Sequence, residues 1–168
     1  MYEDFENKPY IWPERDLATE DFKSVPKRNM ESLGNDLLAG DIILLWRIAF
    51  DTFTNESWFP KYFEYIYGIN APERLKMLLD RGFAYEETAF DSLNHLNSSM
   101  KRKILKENGV AGLSKMKVAD LNQAIKDNLT EAELATYFTV RGLNLTEKGE
   151  RALAANQEVI DRHPKKKF

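Results

Sequence analysis

From Leu37 onward, apolar residues recur at three- and four-residue steps, the period of helices that bury one face. Ala39, Gly40 and Asp41 open a first helix whose buried stripe is Ile42, Leu45, Ile48, Ala49 and Phe53, widened by Trp46 and Phe50. After the polar turn Thr54 to Ser57, Pro60 suits the first position of a second helix that runs through Phe63 and Ile66 to Tyr67 and stops at Gly68. Asn70 caps a third helix with Pro72 in its first turn; it buries Leu75, Leu78 and Leu79 and stops at Gly82. The aromatic group Trp58, Phe59, Tyr62, Phe63, Tyr65 and Tyr67 falls at helical spacing and reads mainly as core.

The pattern is clearest between Ser98 and Leu129. A first helix, capped by Ser98 or Ser99, carries Met100, Ile104 and Leu105 on one side and ends where Asn108 and Gly109 can take a left-handed turn. A second helix begins after Ser114 with Val118, Leu121, Ile125 and Leu129 on one face, and Val110 and Leu113 fill the angle between the two. Thr130 with Glu133 makes a capping box for a short helix bearing Leu134, Tyr137 and Phe138. Val140 to Leu145 is extended, and a last helix starts at Thr146, buries Ala152, Leu153, Val159 and Ile160, and ends at Pro164.

Before Leu37 the chain is acidic, broken by Pro9, Pro13 and Pro26, and without a sustained period; it predicts an irregular arm docked through Tyr10, Ile11 and Trp12. The predicted fold class is therefore mainly α: a multi-helix single compact unit, with room for a small β element. Its divisions are an arm over 1–36, a three-helix region over 37–92, a helix, loop, helix module over 93–129, and C-terminal helices with a basic tail over 130–168. The three helices of the second division, followed by an extended segment, and the later Leu-Thr-Glu-Lys-Gly string weakly resemble winged-helix regulators. The solvent side of the third helix mixes Glu73, Arg74, Lys76, Asp80 and Arg81, which suits phosphates poorly.

Charge separates the divisions. The net charge is −3, yet acids outnumber bases about two to one before Pro60, while seven bases face three acids between Leu93 and Leu129. The candidate phosphate ligands on this basic island are Lys101, Arg102, Lys106, Lys115, Lys117 and Lys126. Backbone amides at the start of the second helix would add to them. Arg162 with Lys165, Lys166 and Lys167 forms a second cluster at the end of the chain, suited to nucleic acid, an acidic partner, the acidic arm or simple solubility.

The run Ile104, Leu105, Lys106, Glu107, Asn108, Gly109, Val110, followed by Lys115 and Lys117 and then Leu121 and Ile125, resembles SAP modules, which are helix, extended loop, helix domains. The flanking segments, Pro60 to Ile69 and Leu145 to Gly149, resemble those around such modules in bacterial and phage proteins. The resemblance implies binding to the DNA backbone with little sequence preference. The chain departs from the family pattern with Ser114, Lys115, Met116, Lys117 in the loop and Ala124 where a basic residue is usual. The alternative function is protein interaction, as a homo-oligomer or as a subunit of a phage or regulatory assembly.

Other chemistry finds little support in the sequence. Cysteine is absent, which excludes disulfides, thiolate metal ligands and cysteine nucleophiles. His95 and His163 are far apart, so neither a multi-histidine metal site nor a histidine-supported triad is visible, and each histidine is expected to be satisfied or solvent-facing. Glu86, Glu87 and Asp91 form the nearest approach to a carboxylate cluster and read as a solvated linker. The sequence thus predicts no enzyme, no cofactor, no metal, no small-molecule substrate and no membrane span, in a soluble cytoplasmic protein.

Overall fold

The computed structural model describes residues 2–16, 18 and 23–164. The described residues are mainly helical, as the periodicity predicts: α1 (Ala39–Ala49), α2 (Tyr62–Tyr65), α3 (Ala71–Asp80), α4 (Ser98–Glu107), α5 (Val118–Asn128), α6 (Glu131–Ala135), α7 (Glu147–Ala155) and α8 (Gln157–Asp161). Two short strands, β1 (Ala84–Glu86) and β2 (Leu143–Leu145), pair in a two-stranded sheet. The chain divides into two units that do not follow its linear order. The first contains Met1–Asp51, Ser57–Tyr85 and Asn144–Phe168; the second contains Thr52–Glu56 and Glu86–Leu143.

This division corrects the four consecutive segments expected from sequence. The arm and the three-helix region belong to one unit, the C-terminal helices return to it, and the basic module is enlarged on both sides. Local periodicity marks where helices lie but carries no signal for which distant segments pair. The strand after α3 is present, but its partner β2 lies beyond all the helices of the second unit in sequence rather than in an adjacent hairpin.

In the first unit α1 is the central element, with Ile42, Ile43, Leu44, Leu45 and Ile48 fully buried. Met30, Phe63, Tyr67, Leu78, Phe83 and Val159 pack into the same cluster. Asp41 is buried in the first turn of α1, where its carboxylate accepts from the Leu38 amide at 2.8 Å and from Arg74 of α3. The end of α1 differs from expectation: Ala49 and Phe50 are exposed, because the helix finishes at Ala49 and the chain turns through Asp51 at φ 63°. Helix α2 is also shorter than the stretch from Pro60 to Tyr67. Trp58, grouped with the core aromatics by spacing, is 73% exposed, since it precedes α2 and joins no helical face.

The arm is irregular and docked, through the backbone of its predicted knot but not through the Trp12 ring. Tyr2 and Phe5 meet edge-to-face at 4.9 Å and pack together against the core, the Tyr10 amide donates to the Gly68 carbonyl at 2.7 Å, and Arg15 pairs with Glu64 at 2.7 Å. Trp12 is 51% exposed. The predicted last helix is interrupted at Asn156, which leaves helical geometry at φ −127°, ψ 37° and separates α7 from α8. Of the basic tail, Arg162 is half-buried and donates to Asn29 at 3.3 Å, whereas Lys165, Lys166 and Lys167 lie outside the described residues.

The second unit is built on α4 and α5. Ile104, Leu105, Leu121, Ile125, Leu129, Leu134 and Phe138 form its core with Ala89 and Leu93, and Val110 and Leu113 pack against it. Helix α4 ends as its sequence predicts: Gly109 takes φ 77°, and the Val110 amide turns back to the Leu105 carbonyl at 3.0 Å. Its start differs, for Asn97 is the cap, accepting from the Met100 amide at 2.8 Å. Thr130 caps α6 as predicted, and the Glu131 carboxylate holds the Ala89 and Phe90 amides at 2.9 and 3.0 Å. The short segment Thr52–Glu56 belongs here because Asn55 exchanges hydrogen bonds with Arg141 and also donates to Thr139.

Candidate nucleic-acid interface

The six predicted phosphate ligands do not form one patch. On α4, residues three and four apart share a face, so Lys101 lies in line with Ile104 and Leu105 on the inward stripe. It is only 2% exposed, and burial lowers the pKa of its amine. Lys101 is therefore withdrawn from the predicted surface, because helix geometry outweighs the preference of a lone charge for water.

Arg102 is half-buried beside the loop that follows α4. Its Nε donates to the Leu113 carbonyl at 3.3 Å and its Nη2 to the Met116 carbonyl at 3.4 Å. The residue thus ties the loop, with its short helical turn over Leu113–Lys115, to the side of α4. Lys106 is four residues from Arg102 and falls on the same side of the helix. Lys115 and Lys117 come from the tethered loop, and all three lysines are exposed. Arg102 is a tether more than a free ligand, and it holds the loop that carries Lys115 and Lys117 to the side of α4 that bears Lys106.

Lys126 is exposed but separate, about 12 Å along α5 from Val118 at 1.5 Å rise per residue. The exposed part of α5 also carries Asp120 and Asp127. Asp120 changes the expected role of the α5 N-terminus as well, because its carboxylate accepts from the Lys117 amide at 3.1 Å. A negative side chain already occupies the first turn, which disfavours a phosphate there. Lys103, exposed on the outer side of α4, was outside the predicted set and extends its charge. Its position three residues before Lys106 is the signal that finds it.

Of the two histidines, His163 is satisfied as the sequence predicts, and His95 is not. In the second unit, a β-carbon placed on Gly142 would lie 2.5 Å from Glu87 Oε2 and 2.8 Å from His95 Nε2. A carboxylate and an imidazole from the predicted linker therefore converge beside a glycine distant in sequence, and His95 Nε2 is buried without a hydrogen-bond partner. Among the described residues, no group of three histidine, cysteine, aspartate or glutamate side chains is placed to hold a metal ion.

In the first unit, His163 Nδ1 lies 2.5 Å from the Tyr67 hydroxyl, with the rings of Trp46 and Tyr62 set edge-on at 5.4 and 4.9 Å. Burial, followed by the nearby Arg47 charge, holds the His163 pKa below its ordinary 6.5; burial, with Tyr62 beside it, pushes Tyr67 up to about 12. The neutral imidazole accepts the Tyr67 proton, and a protonated one cannot. Since the folded-state value is depressed, the unfolded chain binds the proton first as the pH falls. Stability from this contact is complete above about pH 6.5 and declines below it toward the folded-state value. Urea midpoints at pH 7.5 and 5.5 should show a smaller drop for His163→Gln than for the unaltered protein.

Compared with family models, curated proteins and solved structures, the chain matches none. No helix among the described residues is long and apolar enough to cross a membrane.

Proposed function

We propose that the protein is a non-enzymatic, DNA-associated protein that engages the phosphate backbone through the loop edge of the α4–α5 pair, with little sequence preference. The observation that carries this reading is the Arg102 tether. It ties the loop that carries Lys115 and Lys117 to α4, which bears Lys106, so that in this reading each lysine neutralises a phosphate without first ordering a free loop. The resemblance of the segment to helix, extended loop, helix modules points the same way. Contacts of this kind carry no information about base identity. If three phosphates are engaged, the logarithm of affinity falls with the logarithm of salt at a slope of about −2.7, and removing both Lys115 and Lys117 makes it shallower by about 1.8. Lys126→Ala should leave the slope within error of the unaltered value.

A second reading rests on Val118, which is 52% exposed beside Lys117. An apolar side chain next to a basic edge suits an acidic protein surface with a small apolar contact, in a homo-oligomer or a larger assembly. Val118→Ser separates the two functions, because it removes apolar contact area and leaves every lysine in place. Unchanged duplex binding with reduced self-association or partner affinity favours protein interaction; unchanged values throughout favour the backbone reading.

A further inference from the structure

The break in the last helix of the first unit is held by its own chemistry. At Asn156 the side-chain amide donates to the Ala152 carbonyl at 2.9 Å, the acceptor that a continuous helix would offer to the Asn156 backbone, while the backbone amide turns to Leu153 at 3.2 Å. No carbonyl is stranded there, and α7 meets α8 at a corner. Beside this corner lies a cleft of about 380 Å³, within the roughly 300–1,000 Å³ of small-molecule sites. Trp46 in the last turn of α1, Leu145 of β2, Leu153 of α7 and Ile160 of α8 line it. Each packs against the core cluster and yet is only half-buried, so the apolar core continues into the cleft without a side chain to fill it.

The polar part of the lining is one-sided. Glu150 is the one charged residue among the described residues that line the cleft, and its carboxylate has neither a hydrogen bond nor an ion pair among them. The neighbouring cations are committed elsewhere: Lys148 donates to the Arg81 carbonyl at 2.8 Å, Arg151 pairs with Glu147 at 3.3 Å, and Arg47 lies by Tyr62 and His163. Gln157, also in the lining, gives its amide to the Asp161 carboxylate at 3.0 Å, and its remaining group is an acceptor. An apolar floor with an indole in its wall, a free carboxylate and an acceptor at its rim, and a second carboxylate behind, together ask for a ligand that is apolar at one end and a charged donor at the other.

We infer that the cleft between the end of α1, β2, α7 and α8 binds a small organic cation, an ammonium carried on an aromatic or aliphatic body. The apolar body lies against Trp46, Leu153 and Ile160, and the ammonium, with up to three N–H donors, pairs with Glu150 and the Gln157 carbonyl. Anions are repelled by Glu150 and Asp161, and a neutral ligand of the same shape leaves the carboxylate unpaired. Every residue of the site belongs to the first unit, so it is independent of the basic loop edge of the second.

The test is amide-resolved NMR of the full chain at pH 7 and constant ionic strength, titrated separately with 2-phenylethylammonium, 2-phenylethanol and 3-phenylpropanoate. The expected result is a saturating shift of the Trp46, Leu153 and Ile160 amides with the ammonium, binding about 10-fold weaker for the alcohol, and no saturation with the carboxylate. Glu150→Gln keeps the size of an exposed side chain and removes its charge; it should weaken the ammonium about 5-fold and leave the alcohol unchanged, a split that a merely structural role would not produce. Ala154→Phe enlarges an exposed lining residue and should abolish the response to both. No saturable shift with the ammonium, equal binding of ammonium and alcohol, or an ammonium response untouched by Glu150→Gln would overturn the inference.

Discussion

Asp41→Ala should lower the stability of the first unit by about 3–5 kcal/mol, read as a drop in urea midpoint at neutral pH. Asp41 is fully buried and accepts from the Leu38 amide at 2.8 Å and from both Nε and Nη2 of Arg74. Its removal would leave an amide unpaired at the start of α1 and strand a guanidinium whose side chain is 28% exposed. Asp41→Asn is the informative companion. It keeps the shape and one acceptor, so a loss of about half the alanine value would show that the charge contributes alongside the hydrogen bonds. Equal losses would assign the whole effect to the ion pair.

Gly149→Ala should be nearly as damaging, at about 3 kcal/mol or more, although alanine normally improves a helix by up to about 1 kcal/mol over glycine. A β-carbon on Gly149 would lie 2.0 Å from the backbone carbonyl oxygen of Phe83, and backbone cannot step aside as a side chain can. The same carbonyl accepts from the Thr146 amide at 3.2 Å, and the Thr146 hydroxyl donates to the Gly82 carbonyl at 2.5 Å. Helix α7 is thereby drawn against the turn after α3. A thermal melt in which the alanine variant matches or exceeds the parent would contradict this packing.

The threonine and glycine of the Leu-Thr-Glu-Lys-Gly string, which contribute to a family resemblance in the sequence, thus have a complete local explanation as a cap and a close approach. The same contrast runs through the chain. Ile104, Leu105, Leu121, Ile125 and Leu129 are all buried where their spacing predicts, because helical periodicity is local. The convergence of Glu87 and His95 beside Gly142 was illegible, because it depends on a return of the chain from far along the sequence.

Lys101 belongs between these cases. Its three- and four-residue spacing to Ile104 and Leu105 already places it inward, but a count of basic residues treats every lysine alike. Arg102 likewise looks like any other cation until the Leu113 and Met116 carbonyls are found beside it. Charge counts therefore identify the basic unit, and only geometry separates its buried lysine, its tether and its free ligands.

The most direct measurement is a fluorescence titration of the full protein with duplex DNA across a range of salt, repeated for the double variant Lys115→Ala, Lys117→Ala. The expected outcome is binding that weakens with a slope of about −2.7, moving to about −0.9 in the double variant while its helical content is unchanged. Absence of binding at low salt by a folded protein, or a slope that the two substitutions leave untouched, would contradict the assignment of the loop edge to the phosphate backbone.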